Sequence, residues 1–177
     1  FKTLSNLSNN LSKNDFIKKI VQLNELKKIL LKKNNKNFLF FKNRYFNHPI
    51  YKYEFYGIFK NKIIKSFFVT RICKYKKSFA IRIIDFYGNI NNFENLDNEL
   101  IKLLELKKAE YIDLYEYGTP INKKKFPFKL NKYNKHTIIP NHYEPFVKKN
   151  IKIKFAITGN MKKNQIFKGD CDQDRPS

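Results

Sequence analysis

The sequence predicts an α+β domain of three layers, built on a mostly antiparallel sheet with one parallel strand pair. Three strand-like segments, 53–59, 63–73 and 79–86, follow one another with short polar turns between them, which indicates an antiparallel meander. The apolar spacing then becomes helical from Leu96 to Lys107. A further strand is predicted over 109–115. Because a strand–helix–strand crossover is right-handed and joins parallel strands, segments 79–86 and 109–115 are expected to be parallel neighbours.

The N-terminal part is predicted to be helical. Residues 1–13 are polar, and 14–177 are predicted to form a single domain. Asn14 or Asp15 can cap a helix that runs to about Lys33. Its apolar stripe would consist of Phe16, Ile20, Leu23, Leu26, Ile29 and Leu30. A second, short helical segment is predicted over 38–46, and His48-Pro49 ends it.

Turn and cap residues mark the other boundaries. Asn61 favours a tight hairpin turn after the first strand of the meander. Asn92 or Asn95 is the predicted cap of the helix that follows the meander, and two closing strands are predicted over 136–140 and 151–157. Because the chain begins at Phe1, it is interpreted as the C-terminal part of a longer chain, with an N-terminal domain of the same chain as a partner.

Composition limits the function classes. The net charge is +22, but 33 of the 37 basic residues are Lys, and AT-rich codons alone could supply them. Arginine binds bases and phosphates through two parallel hydrogen bonds, so the low arginine content argues against sequence-specific nucleic-acid recognition. Non-specific attraction to an anionic surface stays open. The spacing of Cys73 and Cys171 and of the histidines predicts no metal site. No signal peptide or membrane span is evident, so a reducing cytoplasm is expected.

The acidic residues are concentrated. Eleven of the fifteen carboxylates lie in two stretches, eight between Asp85 and Glu116 and three in the run Asp170, Asp172 and Asp174. A nucleic-acid binder would spread its positive field over one face. This clustering therefore favours a built site.

Two aspartates are the leading site candidates. By strand alternation, Asp85 is expected to share a face with Ile81 and Ile83, and Asp113 with Tyr111 and Tyr115. Both lie near the carboxyl ends of the predicted parallel strands, where α/β units bind ligands. The alternative for each is a structural ion pair, for example of Asp85 with Arg71 or Arg44.

Glycines and the acidic tail add weaker signals. Gly88 and Gly118 each follow a predicted strand, where glycine permits a turn or close approach to a ligand. The Asp-x-Asp-x-Asp tail is similar to the start of a calcium loop, but Arg175 stands where a glycine would be needed. The tail is therefore interpreted as a solvated terminus or as a segment that folds back on the basic body.

Five blocks of the sequence resemble a known family. They are Asn43–Pro49, Arg82–Gly88, Ala109–Asp113, Ile139–Phe146 and Lys168–Pro176, and the resemblance covers residues 40–177. These blocks are similar to those of poorly characterised bacterial surface-polysaccharide and sugar-modification proteins of the GNAT type, which are acyl-CoA acyltransferases. The element order also resembles the GNAT layout, except that the usual first strand is not evident and is expected to be missing or supplied by an absent N-terminal region.

The resemblance implies a site and a cofactor. Acyl-CoA, for instance acetyl-CoA, would bind where the two parallel strands splay apart, and a small acyl acceptor such as an amino sugar would lie near Asp85 or Asp113. Tyr115 or Tyr117 would protonate the leaving thiolate. The cofactor would meet the stretch that contains Tyr87, Gly88, Asn89 and Asn92. The candidate acceptor-binding residues are Arg44, His48, Asn141, Tyr143, Glu144, Asp170, Asp172, Asp174 and Arg175.

The chain departs from the GNAT pattern at the phosphate-binding stretch. Instead of Arg or Gln followed by small residues, it has Asp85-Phe86-Tyr87-Gly88, and Glu94, Asp97 and Glu99 follow at the start of the helix. Acids at a helix N-terminus compete with a pyrophosphate. Two alternatives to the acyltransferase therefore stay open: a non-catalytic module of the same fold that supports an N-terminal domain, and a basic nucleic-acid-binding protein.

Overall fold

The structure, a computed structural model, describes residues 15–30, 36–118, 121, 125–128, 149 and 165–170. Within these residues the chain is α+β, with a five-stranded mixed sheet and a separate two-stranded sheet. The strands of the larger sheet are β1 (Phe16–Ile20), β2 (Tyr53–Lys60), β3 (Ile63–Tyr75), β4 (Ser78–Tyr87) and β5 (Tyr111–Leu114). They lie side by side in chain order. The first four pair antiparallel. The antiparallel meander of β2, β3 and β4 and the parallel pairing of β5 with β4 were predicted, whereas β1 was not.

Helices cover both faces of this sheet. On one face lie a 3-10 turn (Leu23–Leu26), the short helix α1 (Lys27–Leu30), and α2 (Phe38–Phe41), which continues as a π-helical turn (Lys42–Phe46). The other face carries a 3-10 turn (Ile90–Phe93) and α3 (Asp97–Lys107). We call these the α2 face and the α3 face. Each has its own core of buried side chains, and Phe41 and Phe93, both with no exposed surface, lie near the centres of the two cores.

The N-terminal prediction is wrong in its first third. Residues 16–20 form β1 and not the start of a helix, with Phe16 stacked on Phe59 at a centroid distance of 4.8 Å and Ile20 paired with Phe55. An apolar residue every three or four positions fits a helix, but a short amphipathic segment also fits the edge of a sheet. In this chain, pairing with β2 makes residues 16–20 a strand. The expectation that the first strand is missing is therefore wrong. The helical stripe holds only from Leu23 onward.

The meander and its turns match the prediction closely. Between β2 and β3 the two turn residues Asn61 and Lys62 have φ angles of 52° and 64°, the left-handed pair that a tight hairpin turn requires. The predicted caps of α3 are wrong. Leu96 takes the N-cap position, without a side-chain hydrogen bond, because Asn95 lies in a left-handed turn (φ 61°) that brings the chain into the helix.

Two short strands complete the described part. They are β6 (Glu116–Tyr117) and β7 (Ile166–Phe167), which pair antiparallel and are followed by a 3-10 turn (Lys168–Asp170). Residues 1–13 and the predicted strands at 136–140 and 151–157 lie outside the described residues. In the part of the chain described, no helix is both long and apolar enough to cross a membrane.

Candidate functional site

A β-bulge in β4 determines where Asp85 points. Val69 of β3 pairs with Asp85, and the next residue, Thr70, pairs with Ile83, so Ile84 is an extra residue on β4. The extra residue reverses the alternation beyond it. Ile81 and Ile83 belong to the core on the α3 face, whereas the Asp85 carboxylate reaches groups on the α2 face. The prediction that these three side chains share a face is therefore wrong.

Strands β4 and β5 separate at the same place. Their parallel register covers Ala80–Ile83 against Tyr111–Leu114. β4 then continues to Tyr87 with β3 as its partner, while the chain after Leu114 continues into β6 and pairs with β7. The last four residues of β4 therefore have one strand partner among the described residues, and the predicted parallel arrangement that opens beyond its paired part is present.

The opening is filled by the chain itself. Phe167 packs on the α3 face, with its ring centroid 5.9 Å from that of Phe86. Two residues later, Gly169 lies on the α2 face, so close to Tyr45 and Ile84 that a Cβ there would meet the Ile84 carbonyl oxygen at 3.0 Å. Residues 166–170, called here the crossing segment, therefore pass through the gap between β4 and β6. The predicted cleft rimmed by aspartates is occupied by this segment.

Asp85 joins four parts of the chain. It is fully buried, and its Oδ1 lies 2.5 Å from Lys36 Nζ while its Oδ2 accepts a 2.8 Å hydrogen bond from the Tyr45 hydroxyl. Lys36 Nζ also lies 2.7 Å from Asp170 Oδ1, at the end of the crossing segment. Arg44 donates to the Gly169 carbonyl. The ion-pair alternative is thus right in kind, with Lys36 as the partner in place of Arg71 or Arg44.

The surroundings of Asp85 change its protonation. Burial raises the pKa of this carboxyl, and the nearby Asp170 raises it further, while Lys36 and the Tyr45 hydroxyl oppose the shift. A carboxyl with a raised pKa is a better proton acceptor when it is ionised. Aromatic rings flank the Lys36 ammonium, whose Nζ lies 5.7 Å from the Phe40 centroid and 5.5 Å from that of Phe167.

Asp113 has one strong partner. Both of its oxygens accept from Arg82, with Nε–Oδ1 at 2.9 Å and Nη2–Oδ2 at 2.6 Å, and the pair lies between register partners of β4 and β5. Arg82 has no exposed surface, and the Tyr115 ring centroid lies 5.1 Å from its Cζ. As predicted, Asp113 lies near Tyr111. Burial raises the pKa of Tyr111, and the negative charge of Asp113 raises it further.

The four predicted cofactor residues serve the turn after β4. Tyr87 is 4% exposed and packs in the α2-face core against Phe67, with centroids 5.3 Å apart. Gly88 has a φ of 108°, and a Cβ there would lie 2.5 Å from Ser66 Oγ. The Asn89 side chain accepts from Asn91 N (3.0 Å), and Asn92 Nδ2 donates to Ser66 Oγ. These contacts shape a 3-10 turn, within which the buried Asn91 Oδ1 has no hydrogen-bond partner among the described residues.

The acids at the start of α3 are also engaged. Glu99 Oε2 accepts from the backbone N–H of Ile17 at 3.2 Å, and Glu99 Oε1 lies 2.6 Å from Lys102 Nζ. Asp97 shares the first turn of the helix with Glu99. This helix end is therefore used to hold β1 against the sheet, and its negative charge disfavours a second anion there.

The remaining predicted residues fall into three groups. Arg44 and Asp170 lie with Asp85 on the α2 face. His48 shapes the loop before β2, where its Nδ1 accepts from Tyr51 N at 2.9 Å, and Tyr117 is 44% exposed at the outer end of the gap. The other predicted residues lie outside the described residues: Asn141, Tyr143, Glu144, Asp172, Asp174 and Arg175.

Three residues of this region were missed. Lys36 lies in a lysine- and asparagine-rich tract where no pattern distinguishes it, and only its contacts identify it. Tyr45 stands beside Arg44 in a block that the sequence had marked, so that block could have identified it. Arg82 alternates with isoleucines in a buried strand, and an arginine at such a position requires a buried acceptor, which was a readable signal for Asp113.

Comparison with known proteins gives no match: no family, no curated protein and no solved structure is significantly similar to this chain.

Proposed function

We propose that this chain is a GNAT-like acyltransferase, which transfers an acyl group from acyl-CoA to an amine or hydroxyl of a small acceptor such as an amino sugar, in surface-glycan biosynthesis. One observation carries the proposal. Parallel strands β4 and β5 separate after Ile83 and Leu114, and polar side chains from distant parts of the sequence gather beside that point. Ligands bind beyond the carboxyl ends of such strands.

The order of elements supports the GNAT-like architecture. Because β1 is present, the described chain has a first strand, helical turns, a three-strand antiparallel meander, α3 and a parallel fifth strand, which is the layout that the sequence blocks resemble. The bulge at Ile84 adds a second feature, since bulges next to active sites re-aim side chains, here that of Asp85.

Acyl-CoA fits this region only after a rearrangement. The unpaired edge of β4 beyond Ile83 offers an extended backbone, but the crossing segment fills the gap in the described arrangement. The cofactor would supply the activated acyl thioester. Withdrawing Phe167, which is 3% exposed, costs about 2–3 kcal/mol of apolar burial. This cost would weaken cofactor binding by about 30- to 150-fold, since 1.4 kcal/mol is a factor of ten.

The proposed roles follow from the contacts. Asp85, with its raised pKa, accepts the proton of the acceptor once Lys36 is drawn away with the crossing segment. Asp113 holds Arg82 and has no lone oxygen left for a base. Tyr115, which follows β5 at the mouth of the gap, is a better donor to the leaving thiolate than the exposed Tyr117.

The second candidate is a non-catalytic module of the same fold that supports another domain. The filled gap favours it, because Phe167 and Gly169 are packed as core residues and both candidate carboxylates are held in ion pairs. In this case the crossing segment is a permanent part of the sheet. Asp85 then serves only to fasten it.

Calorimetry with acetyl-CoA separates the two candidates. We expect weak binding by the unaltered chain and tighter binding by Phe167→Ala and by Asp170→Asn, which loosen the crossing segment in different ways. Phe128→Ala is the matched control, since Phe128 packs on the same core through Phe93, with ring centroids 5.5 Å apart. Absence of binding in all folded variants would favour the non-catalytic module.

A further inference from the structure

Large apolar side chains are exposed on the outer side of α2 and of the π-helical turn that continues it. Leu39 is 61% exposed and Phe46 is 48% exposed. Phe41 and Tyr45, on the inner side of the same turns, are buried in the core of the α2 face. Exposed apolar side chains that lie together mark interaction surfaces, whereas those scattered singly are ordinary.

Helix geometry brings the two exposed side chains to one lysine. Lys42 follows Leu39 by three positions and precedes Phe46 by four, and residues at these spacings are neighbours on a helix surface. The wider π-helical turn keeps this relation, because the bond from Asn47 N to the Lys42 carbonyl oxygen, at 2.8 Å, closes the turn just after Phe46. Lys42 is itself exposed. We call Leu39, Lys42 and Phe46 the outer strip.

More positive charge surrounds the outer strip. Lys27 of α1 reaches α2, where its Nζ lies 5.3 Å from the ring centroid of Phe38, the residue before Leu39. The sequence from 26 to 53, which supplies α1, α2 and the π-helical turn, contains eight basic residues and no acidic one. Residues 90–108, which supply the helical turns of the α3 face, contain four acidic and three basic residues. The charge is therefore asymmetric, with the positive field on the α2 side.

We propose that the outer strip binds the surface of an anionic lipid bilayer. Leucine and phenylalanine enter the boundary between headgroups and acyl chains, while the lysines stay at the level of the headgroups, as in amphipathic helices that lie on a membrane. Each lysine near such a surface adds electrostatic attraction to the anionic lipids. Bound in this way, the protein turns its α2 face toward the bilayer.

A nucleic acid, the other common polyanion, fits this surface less well. Proteins bind it through arginine forks and stacked rings, whereas the outer strip offers a lysine and an aliphatic side chain. The arginine of this segment, Arg44, donates to the Gly169 carbonyl. The proposal does not rest on acyl transfer, because the partners of Asp85 are Lys36 and Tyr45, which do not belong to the strip.

Sedimentation of the whole chain with lipid vesicles tests the surface. The probes are vesicles of phosphatidylcholine, vesicles of an equal mixture of phosphatidylcholine and phosphatidylglycerol, and polyuridylate as the nucleic acid. We expect binding to the anionic vesicles that weakens as salt is added, because salt shortens the reach of the lysine charges. Binding to the neutral vesicles should be much weaker. The proposal is overturned if the anionic vesicles are not bound, or if polyuridylate is bound more tightly than they are.

Variants locate the contact on the chain. The double variant Leu39→Gln/Phe46→Gln should weaken binding to anionic vesicles about tenfold or more, since it removes the apolar contact. Lys42→Gln should weaken it about fivefold, as the loss of one lysine at the surface predicts.

Matched controls lie on α3. Leu106→Gln replaces a leucine that is 75% exposed, and Lys102→Gln replaces a lysine whose side chain is 71% exposed, so the chemical changes are the same on the opposite face. Both should leave vesicle binding unchanged, and urea midpoints check that each variant is folded. If the α3 variants weaken binding as much as the folded variants of the outer strip, or if the double variant binds like the unaltered chain, the proposal is overturned.

Discussion

The surroundings of Asp113 and Asp85 differ although both aspartates lie near the ends of neighbouring parallel strands. Asp113 gives both oxygens to Arg82 on the adjacent strand, so its contacts stay within the sheet. Asp85 bonds to Lys36 from the segment before α2 and to Tyr45 from the turn after it, and through Lys36 it is linked to Asp170. The first aspartate satisfies one buried charge, and the second connects separate segments.

The difference comes from the β-bulge. Without the extra residue Ile84, Asp85 would point into the apolar core on the α3 face. The bulge turns it toward the helical turns and the crossing segment. Two aspartates at similar positions in the sequence pattern therefore have different roles. Asp113 forms an ion pair within the sheet, whereas Asp85 fastens separate segments and is the proton acceptor of the proposed function.

The largest expected effect comes from breaking the local pair. Asp113→Ala leaves the fully buried Arg82 without its carboxylate and should lower the free energy of unfolding by about 3–5 kcal/mol, measured by urea denaturation. The double variant Arg82→Met/Asp113→Leu removes both charges and should recover much of this loss. If Asp113→Ala alone left the free energy of unfolding nearly unchanged, Arg82 would have found another partner.

The sequence predicted the meander, its tight turn and the parallel crossover, because these depend on local spacing and turn residues such as Asn61. It could not predict the first strand, because residues 16–20 fit a helix and a sheet edge equally well until β2 is there to pair with them. It also missed the bulge, since strict alternation is the only rule that a single strand offers. The role of Lys36 could be found only from the fold, because its partners, Asp85 and Asp170, are distant from it in the sequence.

Neutralising Asp85 should have a smaller and more distributed effect. Asp85→Asn keeps the shape and an acceptor but removes the charge, with an expected cost of about 1–3 kcal/mol. Because Asp85 anchors Lys36, amide hydrogen exchange should become faster at residues 166–170 than in β2. Equal protection of both regions in the variant would show that the aspartate does not fasten the crossing segment.

The smallest expected effect is on the pH dependence of stability, in which a third carboxylate, Glu54, can be compared with Asp85. Burial raises the pKa of Glu54, but bonds from Lys107, Lys19 and Tyr56 outweigh it and lower the pKa to about 2. A depressed pKa gives stability that is complete above the ordinary value of 4.5 and is lost as pH falls toward 2. The raised pKa of Asp85 acts in the opposite direction, since its ionised form is the less favoured one in the fold.

Urea midpoints measured between about pH 6 and pH 2.5 should therefore fall less steeply on acidification in Glu54→Gln and more steeply in Asp85→Asn than in the unaltered chain. The cost of Glu54→Gln at neutral pH should be about 1 kcal/mol or less, because Glu54 and both of its lysine partners, Lys19 and Lys107, are in part exposed to water, which screens the pairs. Lys102→Ala, at an exposed pair with Glu99, should leave the profile unchanged. Parallel profiles for the two carboxylate variants would mean that Asp85 is as well stabilised in its charged form as Glu54, and the case for Asp85 as a proton acceptor would then be lost.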